Sequence, residues 1–199
     1  TDITAATLSL STAVTAVTAV NDAPAGTDKT ITITEDSSHT FAASDFGFTD
    51  ADSNSLSAVI LASLPTAGSL TLDGTAVSAD QSIAAADLTN LLFTPASDAN
   101  GNAYASFTFQ VQDDGGTENS GVDTDQSANT ITFDVAAVDD PATITGDTPG
   151  SGAEDVTITG TLSFTDAADG DSTPNFTITA AAANGTASIN ATTGAWTYV

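Results

Sequence analysis

A phrase near the start of the chain returns about 118 residues later, and this repetition constrains the fold more than any other feature. "AVNDAPAGTDKTITITED" occupies residues 19–36, and "AVDDPATITGDTPGSGAED" occupies residues 137–155. Val20 recurs as Val138, Glu35 as Glu154, Asp50 of "FTDAD" as Asp166 of "FTDAAD", and Gly68 of "GSLTLDG" as Gly185 of "GTASINATTG". Four landmarks in one register define a unit of domain size. The first complete unit runs over 21–138. A second, incomplete one starts at 139 and runs to 199. Residues 1–20, "TDITAATLSLSTAVTAVTAV", align with 119–138 and read as the closing strand of a preceding unit.

Within the unit the apolar residues alternate. "ASFTFQVQD" at 105–113 places Phe107, Phe109 and Val111 on one face, and "TITFDV" at 130–135 places Ile131, Phe133 and Val135 on one face. "TITIT" at 30–34 does the same with Ile31 and Ile33. Period-two alternation marks half-buried antiparallel strands. Asp73-Gly74 between "SLTL" and "TAVS" is a hairpin turn signal, and only "IAAADLTNLL" at 83–92 has room for a helical turn. The second unit continues with "VTITGTLSF", "NFTIT", "TASIN" and "AWTYV", where Trp196 and Tyr198 share a face and are expected to close its core. Many short strands between regular turns predict an all-β fold, tandem immunoglobulin- or cadherin-like antiparallel β-sandwiches.

Composition narrows function. The 199 residues carry 26 acidic side chains, one lysine, one histidine and no cysteine, for a formal charge of −25. Such a charge disfavours nucleic acid and anionic membrane surfaces and favours bound cations, or serves as a solubility device in a salty habitat. Without cysteine there is neither a disulfide framework nor a thiolate metal site. No run approaches the apolar length of a membrane span. Enzymatic readings find little support: the single histidine, His39, lies at a strand start where a surface or turn role is expected, and cations to activate a nucleophile are scarce. One Trp and two Tyr do not suggest an aromatic sugar cleft.

The ordered motifs "VNDAP", "TED", "FGFTDADSNSL", "LPTAGSLTLDG", "LLFTPASDANG" and "ASFTFQVQDDGG" resemble the cadherin-like tandem repeat of giant bacterial RTX-type surface adhesins. "AEDVTITGTLSFTDAADGD" with "GTASINATTGAWTYV" is similar to the VCBS repeat of the same adhesins, although it ends before the last strands. The resemblance implies extracellular extender modules with calcium at their junctions, a role in cell adhesion and biofilm, and export by type I secretion.

Calcium takes about 6–8 oxygen ligands, and the repeated phrase supplies carboxylates. The earlier junction would use Asn21, Asp22, Glu35, Asp50 and Asp52. The later one would use Asp139 and Asp140 from the linker, Glu154, Asp166, Asp169 and Asp171 from the second unit, and Asp113 and Asp114 from the far end of the first. The alternative is that these acids are solvated turn residues. "SDANGN" at 97–102 has the look of a calcium loop but lacks its distal glutamate, which favours an Asx turn. The reading that follows is a calcium-stiffened extender of a secreted adhesin, partnered by neighbouring repeats of its own chain. Two rivals are a calcium-dependent carbohydrate-binding module and a filament subunit joined by strand exchange between copies. An incomplete 139–199 is expected to need such a strand from elsewhere.

Overall fold

The computed structural model describes residues 18–147, 150–166 and 173–199. The strands expected from alternation form, and most are short: β1 (Lys29–Thr34), β2 (His39–Thr40), β3 (Leu56–Leu61), β4 (Ser69–Leu72), β5 (Thr75–Ala76), β6 (Ser82–Ala84) and β7 (Leu91–Thr94). They are followed by the long β8 (Gly101–Asp113) and by β9 (Asn129–Ala136). A five-stranded sheet has the order β1-β9-β8-β3-β6, and a four-stranded sheet the order β2-β7-β4-β5. The helical turn expected near 83–92 is a 3₁₀ segment, Ala85–Asn90, which seals one side with buried Leu88. Asp73 and Gly74, at φ +50° and +75°, make the β4–β5 hairpin turn, the conformation for which this dipeptide is suited.

The two sheets close over one core. Phe107, Phe109, Val111, Ile131 and Phe133 are each at most 1% exposed, and Val135 is buried with them. From the opposing sheet Phe93 stacks on Phe133 with ring centroids 3.7 Å apart, and Phe41 packs edge-on against Phe107 and Phe133. The alternation is legible because every second residue of β8 and β9 meets this aromatic layer and the others meet solvent or hydroxyl-rich loops.

One pairing departs from an all-antiparallel sandwich. β1 lies parallel to β9, from Lys29 opposite Ile131 to Thr34 opposite Ala136. β8 runs antiparallel to β9. The chain therefore enters beside the starts of β1 and β9 and leaves at the far end, beside the ends of both. The end of β8 returns to the entry side.

Beyond Asp140 a separate four-stranded sheet has the order β10-β11-β13-β12, from β10 (Thr143–Gly146), β11 (Ile158–Thr165), β12 (Ala187–Ile189) and β13 (Ala195–Tyr198). Two expectations fail here. "NFTIT" is not a strand: residues 175–179 are irregular, although Phe176 is buried and its N–H reaches Ala191 O at 2.9 Å. Trp196 and Tyr198 do share a face, but both stay half-exposed and close no core. No second sheet faces this one among the described residues, which leaves Trp196 and Tyr198 without a layer to pack against; residues 175–179 pair with neither edge strand, β10 or β12. Residues 1–17, expected to be a closing strand, lie outside the described residues, and Thr18–Val20 form no strand.

Candidate functional site: acidic clusters at the two ends of the sandwich

At the entry end four segments meet. Asn21 donates through Nδ2 to Asp113 Oδ1 at 3.0 Å and to Val122 O at 2.8 Å, while its Oδ1 accepts from Asn54 Nδ2. Asp50 Oδ1 accepts from the Asn54 N–H at 2.7 Å, Asp52 Oδ2 from the Asp22 N–H at 2.7 Å, and Asp114 Oδ1 from the Ser55 N–H at 2.8 Å. Asp113 is 3% exposed. Asp50 Oδ2 is buried with no hydrogen-bond partner. Gly115 lines the cluster, and a Cβ there would run into Asn21 Oδ1 and Asn54 Nδ2. Only a glycine lets the turn after β8 approach so closely.

This overturns the expected grouping of the site residues. Asp113 and Asp114 were expected at the junction after β9, yet they join Asn21, Asp22, Asp50 and Asp52 at the junction before β1. β8 runs back against β9, so its C-terminal end belongs to the entry side. Glu35 moves the other way. Expected with Asn21, it lies at the exit end because β1 runs with β9. Its backbone N–H reaches Ala136 O at 3.0 Å, Oε1 accepts from the Val138 N–H at 2.7 Å, and Oε2 accepts from Asn100 Nδ2 at 2.9 Å. It is 3% exposed and holds the exit linker to the sandwich. Asn100 belongs to the "SDANGN" loop, whose Asp98 takes φ +56° in an exposed turn.

Of the other residues expected at the later junction, Asp139 is exposed and Asp140 half-buried in the linker, while in the later sheet's part of the chain Glu154 is exposed in a turn and Asp166 half-buried. Asp169 and Asp171 lie outside the described residues. Among the described residues no three or more His, Asp or Glu side chains converge as a metal shell by themselves. The entry-end cluster is nevertheless the better match to a hard cation. Its donors are oxygens, one buried carboxylate oxygen is unpartnered, and the glycine leaves a cradle. At Glu35, by contrast, both oxygens already accept N–H donors.

Two buried acids were not anticipated. Asp45, in the 3₁₀ turn Ala43–Asp45, binds both the chain's lysine and its histidine: Lys29 Nζ at 2.7 Å and His39 Nε2 at 3.1 Å. The Ala42 N–H adds a third bond at 2.9 Å. Burial alone would raise the Asp45 pKa, but the hydrogen bonds from Lys29, Ala42 and His39 and the lysine's charge outweigh it and lower it. His39 also packs edge-on against Phe41, so it is half-buried and structural. Asp125 accepts from the Gly26 N–H (2.8 Å), the Ser127 N–H (2.9 Å) and Asn129 Nδ2 (2.7 Å), fastening the linker before β1 to the loop before β9. In a chain of 26 acids, neither stood out as buried. The one available signal was the rarity of Lys29 and His39, which a buried carboxylate would be expected to engage.

Two sheets over one aromatic core, with chain ends at opposite poles and acidic loops at each, define an immunoglobulin-like β-sandwich module. The chain belongs to the bacterial Ig domain family, whose match spans residues 21–125, more than half of its length. No curated protein and no solved structure matches it. Modules of this family are typically parts of extracellular or surface proteins. No helix among the described residues is long and apolar enough to cross a membrane.

Proposed function

We propose that this chain is a calcium-stiffened extender segment of a secreted or surface-anchored bacterial adhesin, and that it is not an enzyme. The observation that carries the reading is the parallel β1–β9 pair, which sends the chain in at one pole and out at the other. A module built this way adds its full length to an array. Neighbouring repeats of the same chain are its partners, residues 21–138 act as one complete unit, and the cadherin-like and VCBS likenesses and type I export belong to this reading.

Calcium would be held at the entry pole by Asn21 Oδ1, Asp50 and Asp113, with Asp22, Asp52 and Asp114 flanking. At the exit pole Asp139, Asp140, Glu154 and Asp166 are the candidate ligands. When bound, the ion supplies a compact positive charge that lets adjacent carboxylates approach without repulsion. Protein groups do the rest: Gly115 opens the space, Asn54 and Ser55 orient Asp50 and Asp114, and Glu35 fixes the linker. Lys29 and His39 are both committed to Asp45, which supports a non-catalytic reading.

The test measures thermal unfolding and maximum particle dimension by small-angle scattering, with calcium and with chelator. Chelation should lower the melting temperature and shorten the particle, because a ligand that binds only the native state stabilises it by mass action. Asp50→Asn should abolish the entry-pole share of that shift. If sodium at matched ionic strength rescues equally, the acids serve as a salt-adapted surface and the calcium reading fails.

A further inference from the structure

The dipeptide Asn-Gly occurs twice in the chain, at Asn100-Gly101 and at Asn184-Gly185. An asparagine side chain lies one ring closure away from the backbone nitrogen that follows it, and glycine leaves that nitrogen uncrowded. At the first of these places the fold fixes both residues. Asn100 is exposed in the loop before β8, yet its Nδ2 donates to the buried Glu35 Oε2 at 2.9 Å, while Glu35 Oε1 accepts the Val138 N–H of the exit linker at 2.7 Å. Gly101 has φ +142°, a conformation that favours glycine, and a Cβ added to it would meet nothing within 4 Å. Conformation therefore selects the glycine, and the space around it is open.

The loop is stapled on either side of this pair. Before it, the Ala96 N–H donates to Tyr104 Oη at 3.0 Å, and after it the Ala103 N–H donates to Asp134 Oδ1 at 2.7 Å. Between the staples the β8–β9 register shifts from Gly101 to Ala105, and Ala103 holds φ +49°, a strained value for alanine. The ladder is thus interrupted where ring closure needs the backbone to turn. Asn184 differs in its surroundings. A Cβ at Gly185 would run into Val199 O and the Tyr198 ring, and the Tyr198 hydroxyl donates to Asn184 O. Same chemistry, set far from the exit linker in sequence, makes Asn184 an internal reference.

We infer that Asn100-Gly101 is a spontaneous modification site whose conversion releases the exit linker. The Gly101 nitrogen bonds to Asn100 Cγ, the Cγ–Nδ2 bond breaks, and the proton lost from Gly101 leaves with Nδ2 as ammonia. Water then opens the cyclic imide at one of its two carbonyls, giving aspartate or its isoaspartyl isomer. Water is the only co-reactant. The contact with Glu35 guards the amide, because Cγ must swing away from Glu35 to reach the Gly101 nitrogen, so conversion proceeds through local opening of that contact. Conversion in turn prevents reclosure. An N–H donor is replaced by a carboxylate facing Glu35, in a site where Glu35 is 3% exposed and like charges disfavour each other. Glu35 loses a donor, and its hold on the Val138 N–H weakens. The pair acts as a one-way latch: an opening at the exit pole, once captured by the chemistry, stays open. This rests on the Asn100–Glu35–Val138 geometry and is independent of calcium.

The experiment ages the whole 199-residue chain for several weeks at mildly alkaline pH, below its melting temperature, and follows the mass gain of about one dalton at each site by peptide mapping. Asn100 should convert to a mixture of aspartate and isoaspartate while the chain stays folded. Glu35→Ala, which removes the guard, should speed that conversion at least about threefold and leave Asn184 unchanged. Asn100→Asp, made directly, should quicken amide exchange at Val138 at least about threefold, whereas Asn184→Asp, the same charge change, should not alter it. An Asn100 that remains an amide throughout overturns the inference. So does a Glu35→Ala chain in which Asn100 gains no speed, or gains no more than Asn184. An Asn100→Asp chain with unchanged Val138 exchange overturns it as well.

Discussion

Replacing Glu35 with alanine tests how the exit linker is held. The native carboxylate accepts two hydrogen bonds, from the Val138 N–H at 2.7 Å and Asn100 Nδ2 at 2.9 Å, in a site only 3% exposed. Hydrogen bonds to a charged group contribute roughly 1.5–3 kcal/mol each. The two share one carboxylate and are not independent, so the combined loss is about 2–4 kcal/mol. Taking about 2.1 cal/mol/K of unfolding entropy per residue, a sandwich of this size should melt about 8–16 °C lower. Glu35→Gln keeps an acceptor for Val138 and should lose less than half as much. Differential scanning calorimetry measures the global effect. Amide exchange at Val138 supplies a local readout and should quicken at least about tenfold in Glu35→Ala. If the melting temperature moves by less than a few degrees and Val138 exchange is unchanged, the linker is not fastened by Glu35, and the account of the exit pole is wrong.

Two further substitutions probe the other buried acids. Asp125→Asn sets an amide N–H against donors from Gly26, Ser127 and Asn129, and should cost about 2–4 kcal/mol in urea unfolding. Asp45 has a folded pKa below its ordinary 3.8, so its stabilising contribution is present above that value and is lost as pH falls through the lower folded value. Asp45→Asn should therefore destabilise the sandwich at neutral pH and flatten the acid limb of its stability profile, measured by circular dichroism from neutral to strongly acidic pH.

The core was legible in the sequence because alternation alone assigns Phe107, Phe109, Ile131 and Phe133 to one side of their strands. Asp73-Gly74 likewise carries its turn in its own backbone preference. The positions of the acids at the two poles were not legible. A strand alternates identically whether its neighbour runs parallel or antiparallel, so nothing local reveals that β1 lies along β9. That polarity decides that Glu35 sits at the exit and Asp113 at the entrance. Asp45 and Asp125 were hidden for a different reason. Burial of an acid depends on donors gathered from distant residues, Lys29 and His39 in one case and Gly26 in the other, and an acidic loop residue looks the same in sequence whether or not those donors arrive. "NFTIT" misled because its alternation is real: Phe176 is buried, but alternation alone does not pair a segment with a neighbouring strand, and residues 175–179 join neither edge of the later sheet.

The parallel contact between the first and last strands of the sandwich has a consequence for load. Pulling on residues before β1 and after β9 drives the two strands past each other along their common axis, because their attached ends point to opposite poles. The ladder from Lys29–Ile131 to Thr34–Ala136 is then strained in shear, and its bonds resist together instead of unzipping in turn. Glu35 lies at the end of that ladder, tying its own backbone to Ala136 and its side chain to Val138. A tether of such modules would yield abruptly at a high force, and Glu35→Ala would lower that force in single-molecule extension.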